Sequence, residues 1–364
     1  MKFETTTEQL GGAAATAARF SERRPNLPVL ATLLLALKGN GLTIRATNLE
    51  CGVEVTLTVK GQGDGTVAVP AHVVTGFLGN ARGKLMVALE GEVLKLKTER
   101  ASATIKTVPH ADFPVLPRVS ATTSFVVKAG DLVRAIRSVA YCASLSAVKP
   151  ELQSVLLYGE AGKLTAVATD SFRLAEKTVP LKKGGSVPQL LIPARNAAEL
   201  MKILEGEGGD VELYYNEHQL STQVEGVYYT SRLLDGAFPN YKQIIPKKFE
   251  TEAMVLRDDF SQALKALSVF ADKFSQVLLA VEPKHKAVQL TSRNPDVGEQ
   301  VSTVKATVDG GQVNVSFNGR YLADSLQAIG GASVRLYSNG PGKAMLIKDA
   351  GDDSFLYLAM PMNR

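Results

Sequence analysis

LTAVATDSFRLA, residues 164–175, lies near the middle of a 364-residue chain. It reads as an alternating strand that ends in Asp170, Ser171, Phe172 and Arg173 before apolar residues resume. Taken alone, an acid, a hydroxyl and a guanidinium in a row suit a catalytic centre, a pocket wall or a turn between two strands. The pattern recurs, however. LTIRATNLE (42–50), LTAVATDSF (164–172) and VQLTSRNPD (288–296) each run as a strand into a turn residue. Asn48, Asp170 and Asn294 stand 122 and 124 residues apart, the signature of a long internal repeat.

Three further triplets keep the same register. TVAVPAHVVTGFL, QLLIPARNAAELMKIL and VNVSFNGRYLADSLQAI each turn from a β-rich stretch into a helical pattern, aligning Pro70, Pro193 and Phe317. The two prolines are expected just inside a helix start, where a missing N–H costs nothing. KFETTTEQLGGAAATAARF, TSFVVKAGDLVRAIRSVA and EAMVLRDDFSQALKALSVF open the units, with Thr7, Gly130 or Asp131, and Asp258 near cap positions. ADFPVL, GAFPNY and LAMPMN close them at Pro114, Pro239 and Pro361. The expected fold class is α+β, with three similar domains over 1–122, 123–249 and 250–364. Each has two helices packed on antiparallel sheets.

The helical segments carry Arg19, Arg134, Arg137, Arg195, Lys202, Lys265 and Arg320, with Arg23 and Arg24 just after the first. Any one of these is equally a solvated face, but recurrence at one place in each unit favours a shared surface toward an anion. The formal charge is +5, and the excess sits at the front: 14 basic against 10 acidic residues in 1–122, but 12 against 13 in 250–364. A positive head and a slightly negative tail suit head-to-tail association.

Chemistry is sparse. His72, His110, His218 and His285 are scattered, and Cys51 and Cys142 have no nearby partner, so no metal-ligand spacing exists and no cofactor is expected. GNARGKL (79–85) is one residue short of a phosphate loop and lacks its Ser or Thr. A Ser171 nucleophile would need a base in reach, and the equivalent turns hold only Asn48-Leu49 and Asn294-Pro295, which fits backbone capping better than catalysis. With no Trp and no aromatics alternating with basic residues, a stacking platform for single strands is not indicated. No apolar run approaches the roughly 18 residues of a membrane span, and MKFETTTEQL has no signal-peptide core, so a cytoplasmic protein without membrane contact is expected.

End to end, the chain resembles the bacterial β sliding clamps, the processivity subunits of DNA polymerase III. The matching pieces are MKF, RPNLPVLATLLL (24–35), VATDSFRLA (167–175), TSRLLDGAFPNYKQIIPK (230–247), FNGRYLADSLQAI (317–329) and the closing MPMNR. The resemblance implies a non-catalytic, nucleoid-associated homodimer, a head-to-tail ring with helices lining a channel for duplex DNA. Arg24, Arg134, Arg137, Arg195, Lys202 and Lys265 would face that DNA. It further implies one peptide pocket per subunit, through which replicative polymerase, clamp loader, repair polymerases or ligase attach. Carried over by position, its residues are Leu152, Thr169, Ser171, Phe172, Arg173, Leu174, Pro239, Gln243, Ile244, Asn318, Tyr321, Leu358, Met360, Pro361 and Met362. Val108, Val269 and Phe270 would lie at the dimer interface. Ser171-Phe172 stands where the family often has Gly-His, and the tail ends in Asn363-Arg364.

Overall fold

The computed structural model describes residues 1–119 and 123–362. The domain boundary expected at 122 and the tail residues Asn363 and Arg364 lie outside them. Among the described residues there are six α-helices: α1 (Thr7–Ala18), α2 (Ala71–Asn80), α3 (Ala129–Val139), α4 (Ala194–Leu204), α5 (Arg257–Leu267) and α6 (Gly319–Ser325). Each repeat runs strand, helix, a set of strands, helix, three strands, so the repeat read from sequence is a repeat of structure.

Local chemistry sets the helix starts. Thr6 caps α1, its hydroxyl accepting from Gln9 N at 3.2 Å, and Leu10, Ala13, Ala14 and Ala17 form the buried stripe. Asn318 caps α6 by accepting from Arg320 N at 2.9 Å. The two prolines act one step earlier than expected. Pro70 and Pro193 are the last residues of strands Gly65–Pro70 and Val187–Pro193, paired with Thr32 and Ser154, and the helices begin after them. The residue paired at that place in the third repeat is Asn318, opposite Gln276, rather than Phe317.

The chain divides into two compact units, Met1–Ala129 with Glu199–Leu233, and Gly130–Ala198 with Leu234–Arg364. The division runs through the middle repeat because its strands join two different sheets. In the first unit, the middle repeat's strands Ser124–Lys128, Asp210–Tyr215, Gln219–Val224 and Val227–Arg232 continue an eight-stranded sheet with Cys51–Thr58, Gly41–Thr47, Thr32–Lys38 and Gly65–Pro70. In the second, Val187–Pro193, Ser154–Glu160, Lys163–Thr169 and Arg173–Pro180 lead into a twelve-stranded sheet whose other members belong to the last repeat. The two seams use one register. Val227 to Ser231 pair with Val55 to Cys51, and Phe355 to Ala359 pair with Lys177 to Arg173. In both, the last strand of one repeat lies antiparallel to the fourth strand of the repeat before it.

The segments that follow each repeat strap these seams. In the first unit Leu116 is buried against Gly52, where an added Cβ would lie 2.4 Å from Leu116 Cδ2 and would push that side chain aside. Arg118 stacks 3.8 Å from the Tyr228 ring centre and pairs with Glu54 at 2.6 Å, while Tyr228 donates to Pro117 O. In the second unit Phe238 and Tyr241 pack with Leu156, Val167, Leu174, Leu191, Leu346 and Leu358, residues from both sides of the seam.

One buried charge crosses the second seam as well. Lys177 Nζ, its side chain 6% exposed, meets Asp352 at 2.7 Å and Ser354 Oγ at 2.6 Å. Burial alone would raise the Asp352 pKa, but the Lys177 and Ser354 donors bring it down to about 2. A carboxylate with a depressed folded-state pKa adds stability above its unfolded value, roughly 3.9, and that stability is lost as pH falls through about 2. Asp352→Asn should therefore flatten the fall in urea midpoint between about pH 4 and pH 2 while changing its shape little at higher pH. An unchanged acid profile would show that the ion pair contributes nothing.

Candidate functional site

The turn at 169–173 is built from its own side chains. Thr169 Oγ1 donates to Arg173 O at 2.7 Å and accepts from Ser171 N at 3.2 Å. Asp170 Oδ1 accepts from Phe172 N and Arg173 N, both at 2.9 Å. The first repeat makes the same turn with Thr47 and Asn48, which hold Cys51 O, Leu49 N, Glu50 N and Cys51 N. Leu49 and Ser171 both take a left-handed conformation, with φ of 71° and 77°. The third repeat keeps one of these bonds, from Asp296 N to Asn294 Oδ1. Asp170 is thus a turn-former, with its second oxygen on Arg173 Nε at 3.0 Å.

What sets the middle repeat apart is where Arg173 goes. Its side chain is 13% exposed, and its guanidinium donates to Asp170, to Asp324 Oδ2 at 2.5 Å and to Tyr141 O at 2.7 Å. Its plane lies 4.4 Å from the Tyr321 ring centre and 5.7 Å from that of Tyr141. Tyr357, stacked on Tyr141, donates to Tyr321 O at 2.8 Å. Beside this cluster, burial pushes the Cys142 thiol well above its ordinary range, so it stays a neutral packing group.

Above the cluster lies an apolar edge. Phe172 is 63% exposed, and its carbonyl accepts from Met360 N at 2.8 Å. Met360 is 39% and Ile244 54% exposed, with Pro239 and Gln243 also exposed on the strap. Met362 N donates to Ser316 O at 2.8 Å, and Pro361 and Met362 border a cleft of about 420 Å³ together with Leu278, Val315, Pro341 and Gly342. Three apolar residues of the expected pocket, like Thr169, lie lower. Leu152, Leu174 and Leu358 are buried, and the last two sit in the core beneath the strap, so they form its floor. Thr169 and Asn318 are engaged in turn and cap, and Arg173 in ion pairs. The sequence reading missed Tyr141 and Asp324. Asp324 lies one helical turn beyond Tyr321, a spacing that could have drawn attention to it.

The expected DNA-facing residues are all exposed. Arg134 and Arg137 share one face of α3, Lys202 follows Arg195 by seven positions on α4, and Lys265 is in the last turn of α5. Arg24 follows α1 in a bend. Arg134 pairs with Asp131 and Lys202 with Glu199, which reduces the field these faces present. Val108 is half-buried with its N bonded to Ala68 O, and Val269 is 70% exposed beside Phe270. Among the described residues no group of acids, histidines or cysteines is placed to hold a metal, and no helix is long and apolar enough to cross a membrane.

Three family models match in chain order: the N-terminal domain of the DNA polymerase III beta subunit over 1–117, its central domain over 126–240 and its C-terminal domain over 242–363. The chain belongs to the β sliding clamp family. Its function is accordingly that of a DNA polymerase III processivity subunit. It is 28% identical to the beta sliding clamp of Caulobacter vibrioides over 351 residues, covering 94% of both chains, and 28% identical to that of Escherichia coli K12, covering 93% of both. The Pseudomonas aeruginosa sliding clamp bound to griselimycin superposes over all of both chains with a TM-score of 0.94 at 25% identity. The Bacillus subtilis clamp, at 23% identity and a TM-score of 0.94, shows the same three-domain fold.

Two substitutions separate floor from rim. Leu358→Ala should cost about 2–4 kcal/mol in urea unfolding, as a core cavity does. Ser171→Gly should stabilise by about 0.5–1 kcal/mol, because glycine takes φ near 77° without Cβ strain. A loss of stability in the second variant would mean that the Ser171 side chain makes a contact worth more than the strain.

Proposed function

We propose that this subunit acts without catalysis, as half of a head-to-tail homodimeric ring. The ring encircles duplex DNA and offers one peptide cleft per subunit to replicative polymerase, clamp loader, repair polymerases or ligase. Its clamp domains are 1–122, 123–249 and 250–364, and it works on the nucleoid in the cytoplasm. The observation that carries this reading is the seam register. Twice, the last strand of a repeat joins the fourth strand of the repeat before it. One pair of such strands is left over. Ser102–Lys106, last in the first repeat, ends its sheet. Gly298–Gly310, fourth in the last repeat, is bonded on its second side only over residues 306–310. Counted through the hairpins, Ile105 stands where Ser231 and Ala359 stand, and Gly298 where Cys51 and Arg173 stand. The same register in a second copy puts Ala103 opposite Gln300. Exposed Val269, Phe274, Val297 and Val301 then gain cover beside that seam.

The cleft reading rests on the straps. Val108 N bonds Ala68 O, Leu234 N bonds Leu191 O and Met362 N bonds Ser316 O, the same bond in each repeat. Beyond it, the first two straps lay apolar and aromatic residues along the sheet, as Leu116, Phe238 and Tyr241 show. Beside Met362 lies a cleft in which Leu278, Val315, Pro341 and Pro361 alternate with Asn314 and Ser316, a mix of apolar surface and a few polar groups that suits an extended peptide. Griselimycin, bound by the Pseudomonas relative, is a suitable probe of it. For DNA, scattered and partly paired Arg and Lys give phosphate contacts without base readout, so retention comes from topology and the ring slides.

Three measurements test this. A Cys pair at Ala103 and Gln300 should cross-link between copies, since directly opposed antiparallel residues lie within disulfide reach. The protein should stay on circular duplex DNA and leave once the circle is cut; equal retention on both forms would sink the topological reading. Truncation after Ala359 should abolish partner-peptide binding and leave the dimer intact, and normal binding by that variant would overturn the cleft assignment.

A further inference from the structure

We propose that Asp324 is a positioning residue for the peptide cleft, acting through Arg173 to fix the Tyr321 ring without touching the peptide. The inference rests on the cleft reading above. The floor of the cleft is tied by backbone: Arg173 pairs with Ala359, and Met360 N bonds Phe172 O. Helix α6, which carries the expected pocket residue Tyr321, is held differently. Asp324 Oδ2 takes Arg173 Nη1 at 2.5 Å, and its other oxygen accepts from Gln327 Nε2 at 3.1 Å. Because Tyr321 lies one turn before Asp324, the same guanidinium that bonds the carboxylate also meets the ring, 4.4 Å away. Arg173 cannot swing toward a ligand without giving up bonds to Asp170, Asp324 and Tyr141 O, each charge-assisted in a site where its side chain is 13% exposed. It is a strut between strand Arg173–Pro180 and α6, and Asp324 is where that strut meets α6. Tyr357 Oη donates to the Tyr321 carbonyl and so holds the backbone of α6, leaving the ring to Arg173.

The test uses the full-length dimer and a fluorescein-labelled clamp-binding peptide from the same organism's replicative polymerase. Asp324→Asn keeps shape and removes charge. It should weaken the peptide on the order of tenfold, mostly through a faster off-rate, while dimerisation and retention on circular DNA stay at wild-type levels. Tyr321→Ala should also weaken it, and the two losses combined should be clearly less than additive, because both act through one ring. Asp324→Glu, which can still reach Arg173, should restore part of the affinity. Wild-type affinity in Asp324→Asn, or additive losses in the double variant, would overturn the proposal while the cleft reading stands. Failure of the wild type to bind the peptide would overturn both.

Discussion

Backbone pairing between repeats is the constraint on which the rest depends. A strand at the edge of a sheet presents unpaired N–H and C=O groups, and three consecutive repeats present them in series. The second and third repeats resolve the problem by lending their last strands to their predecessors, at Val227–Arg232 and again at Phe355–Ala359. Side chains adapt to that backbone decision. Gly52 is small because Leu116 crosses it, Tyr228 is placed for Arg118, and Lys177 is buried because Asp352 and Ser354 reach it from the next repeat.

The same constraint explains why the functional edge lies where it does. The turn at Asp170 is shared with Asn48, so its geometry is a property of the repeat. Only in the middle repeat does the next residue but two become an arginine, and only there does a following strand deliver Met360 beside the turn and α6 deliver Tyr321 and Asp324. A generic turn becomes a specific surface through what the neighbouring repeat brings to it.

Much of this was legible in the sequence. Periodicity and four offsets gave the repeat, the six helices and the turn role of Asp170, and the quoted motifs gave the family. Three things were not. Strand partners more than a hundred residues apart leave no local signal, so the splitting of the middle repeat between two units was invisible. A carry-over by position does not tell how deep a residue lies, so the burial of Leu174 and Leu358 in the core beneath the strap was not legible. Proline's helix-start preference blurred by one residue, because here the last strand position accepts it as well.

The splitting of the middle repeat also sets the order of events during synthesis. The first unit needs residues 199–233, so its eight-stranded sheet cannot close when the first repeat leaves the ribosome. The edge Cys51–Thr58 must wait, unpaired, for Val227–Arg232 to emerge more than 160 residues later. At about 5–20 residues per second that wait lasts on the order of ten seconds or more. During it the nascent chain carries an open, β-branched edge, and this interval is when a chaperone has most to protect.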